Sequence, residues 1–263
     1  MSIFEAVVLG LIQGLTEFIP VSSSGHLIAG HTLFGTTEST LVFDVALHIG
    51  TLIALIIFFW RDILDLLRNA VSTSQKGKLA RIIAVATLPA AVIGFLASDW
   101  IDEKLRTPEV VVVTMFIMGS LMLVAEKHAE KRANRTTDDI AMKDGIAVGL
   151  SQAMALIPGV SRSGATITMG LFRSLKRAEA ARVSFLMARP ITAGAIAGAL
   201  LGAESTELSG QGSAFIVGII TAAVSGLFAI KFLLDYLSKH SLKTFAYYRF
   251  VFATVLLVII LVK

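Results

Sequence analysis

The sequence predicts an all-α polytopic membrane protein, with six transmembrane helices plus two re-entrant helix-loop-helix hairpins in an inverted-topology repeat. Three observations predict it. Hydrophobic residues make up 55% of the 263 positions and charged residues only 16%, against about 25% charged in a soluble domain. Six stretches reach the roughly 20 apolar residues that cross a hydrocarbon core. Two further apolar regions are interrupted by proline and serine at matching places. The same composition excludes disorder, which needs few apolar residues and much charge. With no cysteine there is no disulfide and no thiolate metal site.

The six spans are expected at about 41–60, 80–98, 109–126, 182–203, 213–235 and 245–262. Runs such as 51–60 and 251–262 are continuous rather than alternating, which argues against a β-barrel. The N-terminus has no basic region followed by a small-residue cleavage site, so no signal peptide is expected. Residues 3–19 stop at Pro20 and a serine run, and residues 145–157 stop at Pro158 and Gly159. About ten apolar residues follow each break, which reach only about 15 Å as helix, half the core. Each region therefore reads as a hairpin that enters and leaves on one side, with irregular backbone allowed only where protein or water surrounds it.

The two interrupted regions are copies of one another. Residues 10–25 align with 149–164 at an offset of 139 without gaps, with 7 of 16 identical, including Gln13/Gln152, Ser22/Ser161, Ser24/Ser163 and Gly25/Gly164. Three spans separate the hairpins, and three is odd, so the second enters from the opposite face. The chain then forms a single integral membrane domain, with repeat one at about 1–126 and repeat two at about 140–263. The connections 61–81, 126–144, 173–182 and 236–244 hold 16 Lys and Arg, whereas 35–40, 98–108 and 204–213 hold 2. Positive charge stays cytoplasmic, so the first hairpin opens outward and the second to the cytoplasm. The +4 net charge is accounted for by these runs, and no nucleic-acid partner is expected.

Ionisable groups at bilayer depth are expensive and mark functional sites. Here they are Glu17, His26, Asp44, His48, Arg162 and Arg189. Gln13 and Glu17 lie four apart on one helix face, and their oxygens suit a hard divalent cation completed by phosphate and water. Ser22, Ser23, Ser24 and His26 follow at the first break. At the second break Gly159, Ser161, Ser163, Gly164 and Thr166 surround Arg162, whose planar fork fits phosphate oxygens. Two half-helix N-termini near Gly25 and Gly164 favour an anion between them. The cluster suits a phosphate-bearing, partly apolar substrate. Ser23 is a candidate nucleophile, with His26 three residues on as its base; direct attack by water would use the same residues. Bare structural pairing of Gln13 with Glu17, or of Glu17 with Arg162, is the competing reading. So is a secondary-transporter-like carrier or flippase of a lipid phosphate, which inverted repeats with broken helices also build. Gly194, Ala197, Gly198 and Gly202 allow close helix packing within the chain or in a homodimer.

Two motifs, Gln13-Gly-Leu-Thr-Glu17-Phe-Ile-Pro-Val-Ser-Ser-Ser-Gly-His26 and Pro158-Gly-Val-Ser-Arg-Ser-Gly-Ala-Thr166, resemble those of the undecaprenyl pyrophosphate phosphatases, also called bacitracin-resistance proteins. The likeness extends to Phe43-Asp-Val-Ala-Leu-His48 and Ser184-Phe-Leu-Met-Ala. The resemblance implies a phosphatase of the bacterial cytoplasmic membrane, acting on its outer side. Its product is the C55 lipid phosphate reused in peptidoglycan and cell-wall synthesis. It implies a divalent cation, Mg²⁺ or Ca²⁺, on Gln13 and Glu17, with catalytic roles for Ser23 and His26 and pyrophosphate binding by Arg162. Two positions depart from the family pattern: many members carry Glu at the place of Gln13, and an apolar residue at that of Arg189. Arg189 could extend the pocket, pair with Asp44 or snorkel.

Overall fold

The computed structural model describes residues 1–35, 40–202 and 212–262. Segments 36–39 and 203–211, inside two of the connections counted for orientation, lie outside the described residues. The described chain is all-α. Its helices are α1 (Ile3–Phe18), α2 (Ser23–Phe34), α3 (Thr40–Phe58), α4 (Trp60–Asn69), α5 (Gln75–Leu105), α6 (Pro108–Arg132), α7 (Met142–Met154), α8 (Arg162–Phe172), α9 (Arg177–Gly202), α10 (Gly212–Lys239) and α11 (Lys243–Val262).

Local chemistry sets many of these ends. Ser2 and Glu5 form a capping box at α1, Ser74 caps α5 through Gly77 N–H, and Thr107 caps α6 ahead of Pro108. Each cap satisfies N–H groups that have no partner inside the helix. Four of the helices, α5, α6, α10 and α11, are long and apolar enough to cross a membrane, and α3 with α4 makes a fifth if the bent pair is counted as one. The span expected at about 41–60 falls on α3, and at its end the chain turns 75° at Phe59. α4 then continues at a steep angle with Trp60, Leu64 and Leu67 exposed along one side. The segment expected at 182–203 falls on α9, which carries Arg189 and Pro190 in its middle.

α1 packs on α10, and α7 packs on α5. Both contacts are backbone-close. A methyl group at Gly10 would lie 2.8 Å from Gly218 O, and one at Gly149 would collide with Ala86 O. α6 packs on α11 and α3 on α9. The largest core runs through Phe18, Leu55, Phe59, Ile167, Phe185 and Leu233, with Phe18 and Phe185 edge to face at 5.6 Å. The positively charged connections are tied down by buried carboxylates. Asp144 takes Arg135 at 2.6 Å and Arg173 at 2.7 Å, and Glu126 takes Arg177 together with Leu242 N–H.

Candidate active site

Two breaks, between α1 and α2 and between α7 and α8, build the site. Beyond Phe18 the chain turns extended at Ile19 (φ −67°, ψ 137°) and passes Pro20. Ser22 then takes φ 74°, and its Oγ accepts the Gly25 N–H at 3.3 Å. The second break reproduces this. Ser161 takes φ 72° and accepts Gly164 N–H at 3.1 Å. Ser22 and Ser24 hydroxyls lie 3.2 Å apart, and those of Ser161 and Ser163 3.1 Å. The copied residues thus carry a copied backbone, with serine in the positive-φ region that L side chains rarely occupy. Gly159, at φ 86°, completes the second break.

The two breaks touch. Arg162 Nη2 donates to Glu17 Oε1 at 2.7 Å, Gly159 N–H donates to Ser24 Oγ at 3.4 Å, and Ser163 Oγ–H reaches the carbonyls of Ile19 and Glu17 at 3.3 and 3.4 Å. Residues 145 positions apart therefore meet in one cluster. Glu17, 8% exposed, is its hub: Oε2 accepts Ser23 Oγ–H at 2.6 Å and Gln13 Nε2–H at 3.2 Å, with His48 Nε2 at 3.7 Å. Ser23 and Arg162 are half-buried and Ser24 is exposed, so the cluster has an open side. Arg162 Nη1 and Gln13 Oε1 are buried without a hydrogen-bond partner, leaving one donor and one acceptor unused.

His26 is not at Ser23. Its Nδ1–H donates to Ser22 O at 2.7 Å. In the neutral ring Nε2 is then the acceptor and takes the Tyr248 hydroxyl at 2.7 Å. The ring stacks on Phe252, centroids 4.1 Å apart. The group holding the Ser23 proton is Glu17, not the imidazole one helical turn away. Thr166 faces elsewhere: it donates to Arg162 O at 2.7 Å and shares a hydrogen bond with Ser184. Asp44 takes His31 at 2.8 Å and Arg106 at 2.5 Å. The suggested Asp44–Arg189 pair therefore does not form, and Arg189 instead lies 5.0 Å over the Phe59 ring.

Among the described residues no group of three or more His, Asp or Glu side chains is set to hold a metal. Gln13 turns its amide N–H toward Glu17 Oε2 at 3.2 Å and leaves Oε1 buried without a hydrogen-bond partner. Carboxylate and amide oxygens are the donor types a hard cation takes, with phosphate and water completing its shell.

Sequence reasoning missed Tyr248 and Arg249. The guanidinium of Arg249 is fully buried. It donates to Pro20 O (3.2 Å), Gly159 O (2.5 Å), Val160 O (3.2 Å) and Met115 O (3.5 Å). One charged residue inside the last apolar run was the signal available.

A family model described as Bacitracin resistance protein BacA matches residues 6–255. The chain belongs to the bacitracin resistance protein family. The match runs from within α1 to within α11 and takes in both breaks and Arg249. Within this family the chain is similar to proteins named undecaprenyl-diphosphatase. That of Rubrobacter xylanophilus is 45% identical over 274 residues, 99% of each chain. That of Moorella thermoacetica is 45% identical over 261 residues, 98% of each, and that of Thermodesulfovibrio yellowstonii 43% over 256 residues, covering 97% of this chain and 96% of the relative.

Proposed function

We propose that this chain is a membrane phosphatase that hydrolyses undecaprenyl pyrophosphate to undecaprenyl phosphate and inorganic phosphate, returning the lipid carrier to cell-wall synthesis and conferring bacitracin resistance. The observation that carries the chemistry is the Arg162–Glu17–Ser23 chain, a guanidinium, a carboxylate and a hydroxyl joined at 2.7 and 2.6 Å on the open side of two touching breaks. Full-length relatives bearing the phosphatase name support the same reading.

In this proposal Arg162 presents its unused Nη1 to the diphosphate and exchanges part of its hold on Glu17 for phosphate oxygens. Ser23 Oγ attacks the terminal phosphorus while its proton passes to Glu17 Oε2. The bond between that phosphorus and the bridging oxygen breaks, and the lipid phosphate leaves. Water then cleaves the phosphoserine. Positioning and charge neutralisation supply most of the acceleration. Ser22, Ser24, Ser161, Ser163, Gly159 and Gly164 shape the headgroup cradle, with Thr166 behind it holding Arg162 O. Proton delivery through His26 requires Tyr248 to release Nε2. A divalent cation, Mg²⁺ or Ca²⁺, would be held by Glu17 and Gln13 and would neutralise phosphate charge.

The proposal extends to topology: six spans and two re-entrant hairpins in an inverted repeat, in the cytoplasmic membrane, with the site open to the outer side. The repeated φ values at Ser22 and Ser161 support it. So does the packing, because exchanging the repeats turns the α1–α10 contact into the α7–α5 contact. The Lys and Arg count supports the orientation. A homodimer would use the exposed α9 face at Gly194, Ala197 and Gly198. The deciding experiment is phosphate release from a polyprenyl diphosphate by purified protein in detergent. A pure carrier releases none, and that result would end the proposal. Single introduced cysteines, labelled from either side of sealed vesicles, test the orientation, since the native chain has no thiol.

A further inference from the structure

A broken helix at membrane depth leaves carbonyl groups without N–H partners, and hydrocarbon offers none. Three such carbonyls, those of Pro20, Gly159 and Val160, lie at the two breaks, and all accept from one side chain, the guanidinium of Arg249. Its Nε–H reaches a fourth carbonyl, that of Met115 on α6. Arg249 is 0% exposed, and no carboxylate is among its hydrogen-bond or ion-pair partners in the described structure. A buried cation is ordinarily matched by an anion. Here carbonyl dipoles from three separate parts of the chain solvate it, and those parts are held at one spacing by doing so. Lysine, with a single compact ammonium, could not bridge them in the same way.

We propose that Arg249 is the positioning residue that fixes the two breaks against each other, so that Arg162, Glu17 and Ser23 are assembled before substrate arrives. It bonds none of these three side chains; it acts through the backbone on either side of them. The inference rests on the reading of the cluster as the active site. Displacing reacting groups by about 1 Å can cost about a hundredfold in rate, so the effect belongs in turnover more than in substrate capture.

The test uses the full chain in detergent with Arg249→Met and Arg249→Lys. Nitroxide labels on Leu15→Cys and Met154→Cys, exposed sites on α1 and α7 close to the breaks, report break-to-break distance by pulsed EPR in an otherwise thiol-free protein. Expected for Arg249→Met are kcat lower by about a hundredfold, KM within about threefold, and a broadened or longer distance distribution. Arg249→Lys, which keeps the charge and is the variant to use if Arg249→Met does not fold, should fall between it and the parent in both readouts. An unchanged narrow distance in either folded variant overturns the proposal, whatever the rate, and so does full turnover with a broadened distance. If the parent itself releases no phosphate, the functional reading fails, while the distance measurement still decides whether Arg249 holds the breaks.

Discussion

Replacing Glu17 with glutamine changes the site by one charge and almost no volume. The carboxylate receives Arg162 at 2.7 Å, Ser23 at 2.6 Å and Gln13 at 3.2 Å. The amide of Glu17→Gln cannot take the Ser23 proton, and loss of a positioned base costs about 10²–10⁴ in rate. A fall in kcat of about 10³, or about 4 kcal/mol of barrier, is therefore expected. Arg162, with its side chain 13% exposed, is left without its counter-charge. Breaking a buried pair costs about 3–5 kcal/mol, and the open side puts this case near the lower end. The same freed guanidinium should hold phosphate at least as well as before, so at cation concentrations that saturate the weakened metal site KM should stay level or fall. Phosphate release in detergent gives both constants, and tryptophan fluorescence with gel filtration gives folding. A folded Glu17→Gln protein turning over within about threefold of the parent would refute the assignment of Glu17 as proton acceptor.

Ser23→Ala should lower kcat by about 10³ or more with the fold intact, as measured in the same assay. Chelation should abolish phosphate release, with Mg²⁺ or Ca²⁺ restoring it. Gln13→Glu, which adds a second carboxylate, should lower the cation concentration for half-activity by about tenfold. Gly159→Ala should destabilise by about 2–4 kcal/mol in thermal melts, because Gly159 has φ 86° and the methyl would overlap Thr114 Oγ1 and sit 2.9 Å from Val111. Burial alone would raise the Asp144 carboxyl, but hydrogen bonds from Arg135, Ala141 N–H and Arg173 hold it down at about 2. Its contribution is therefore complete above the ordinary aspartate range near 4 and is lost as pH falls toward 2. Melting temperatures of the parent between pH 6 and 3 should show a fall that Asp144→Asn lacks.

Much of this was legible in the sequence because the informative residues are polar and out of place. Serines, glycines and a proline inside apolar runs mark both breaks, and their spacing exposed the copy. Gln13 and Glu17 were read together because an i, i+4 pair is a local fact. What escaped was long-range or hidden by a common residue type. A one-turn rule pairs His26 with Ser23, whereas Ser22 O and a hydroxyl 222 residues away take the ring. Arg249 lies unremarked inside the span expected at 245–262; only the assembled fold reveals three carbonyls at the breaks and a fourth on α6 that accept from it. The turn at Phe59 has no proline or glycine to announce it, and the helix α4 lies hidden in a charged connection.

Ser22 and Ser161 occupy backbone that glycine would adopt without strain, and strain of this kind costs on the order of 1–3 kcal/mol per residue. What keeps serine there is the oxygen that caps the following half-helix, a contribution of about 1 kcal/mol. Where that relief exceeds the lost cap, a selection for heat resistance alone accepts glycine at both places. The survivors would be hardier proteins with a slacker anion cradle. Rugged mutants isolated to make this enzyme easier to handle should thus be checked for turnover before their shape is taken as that of the working molecule.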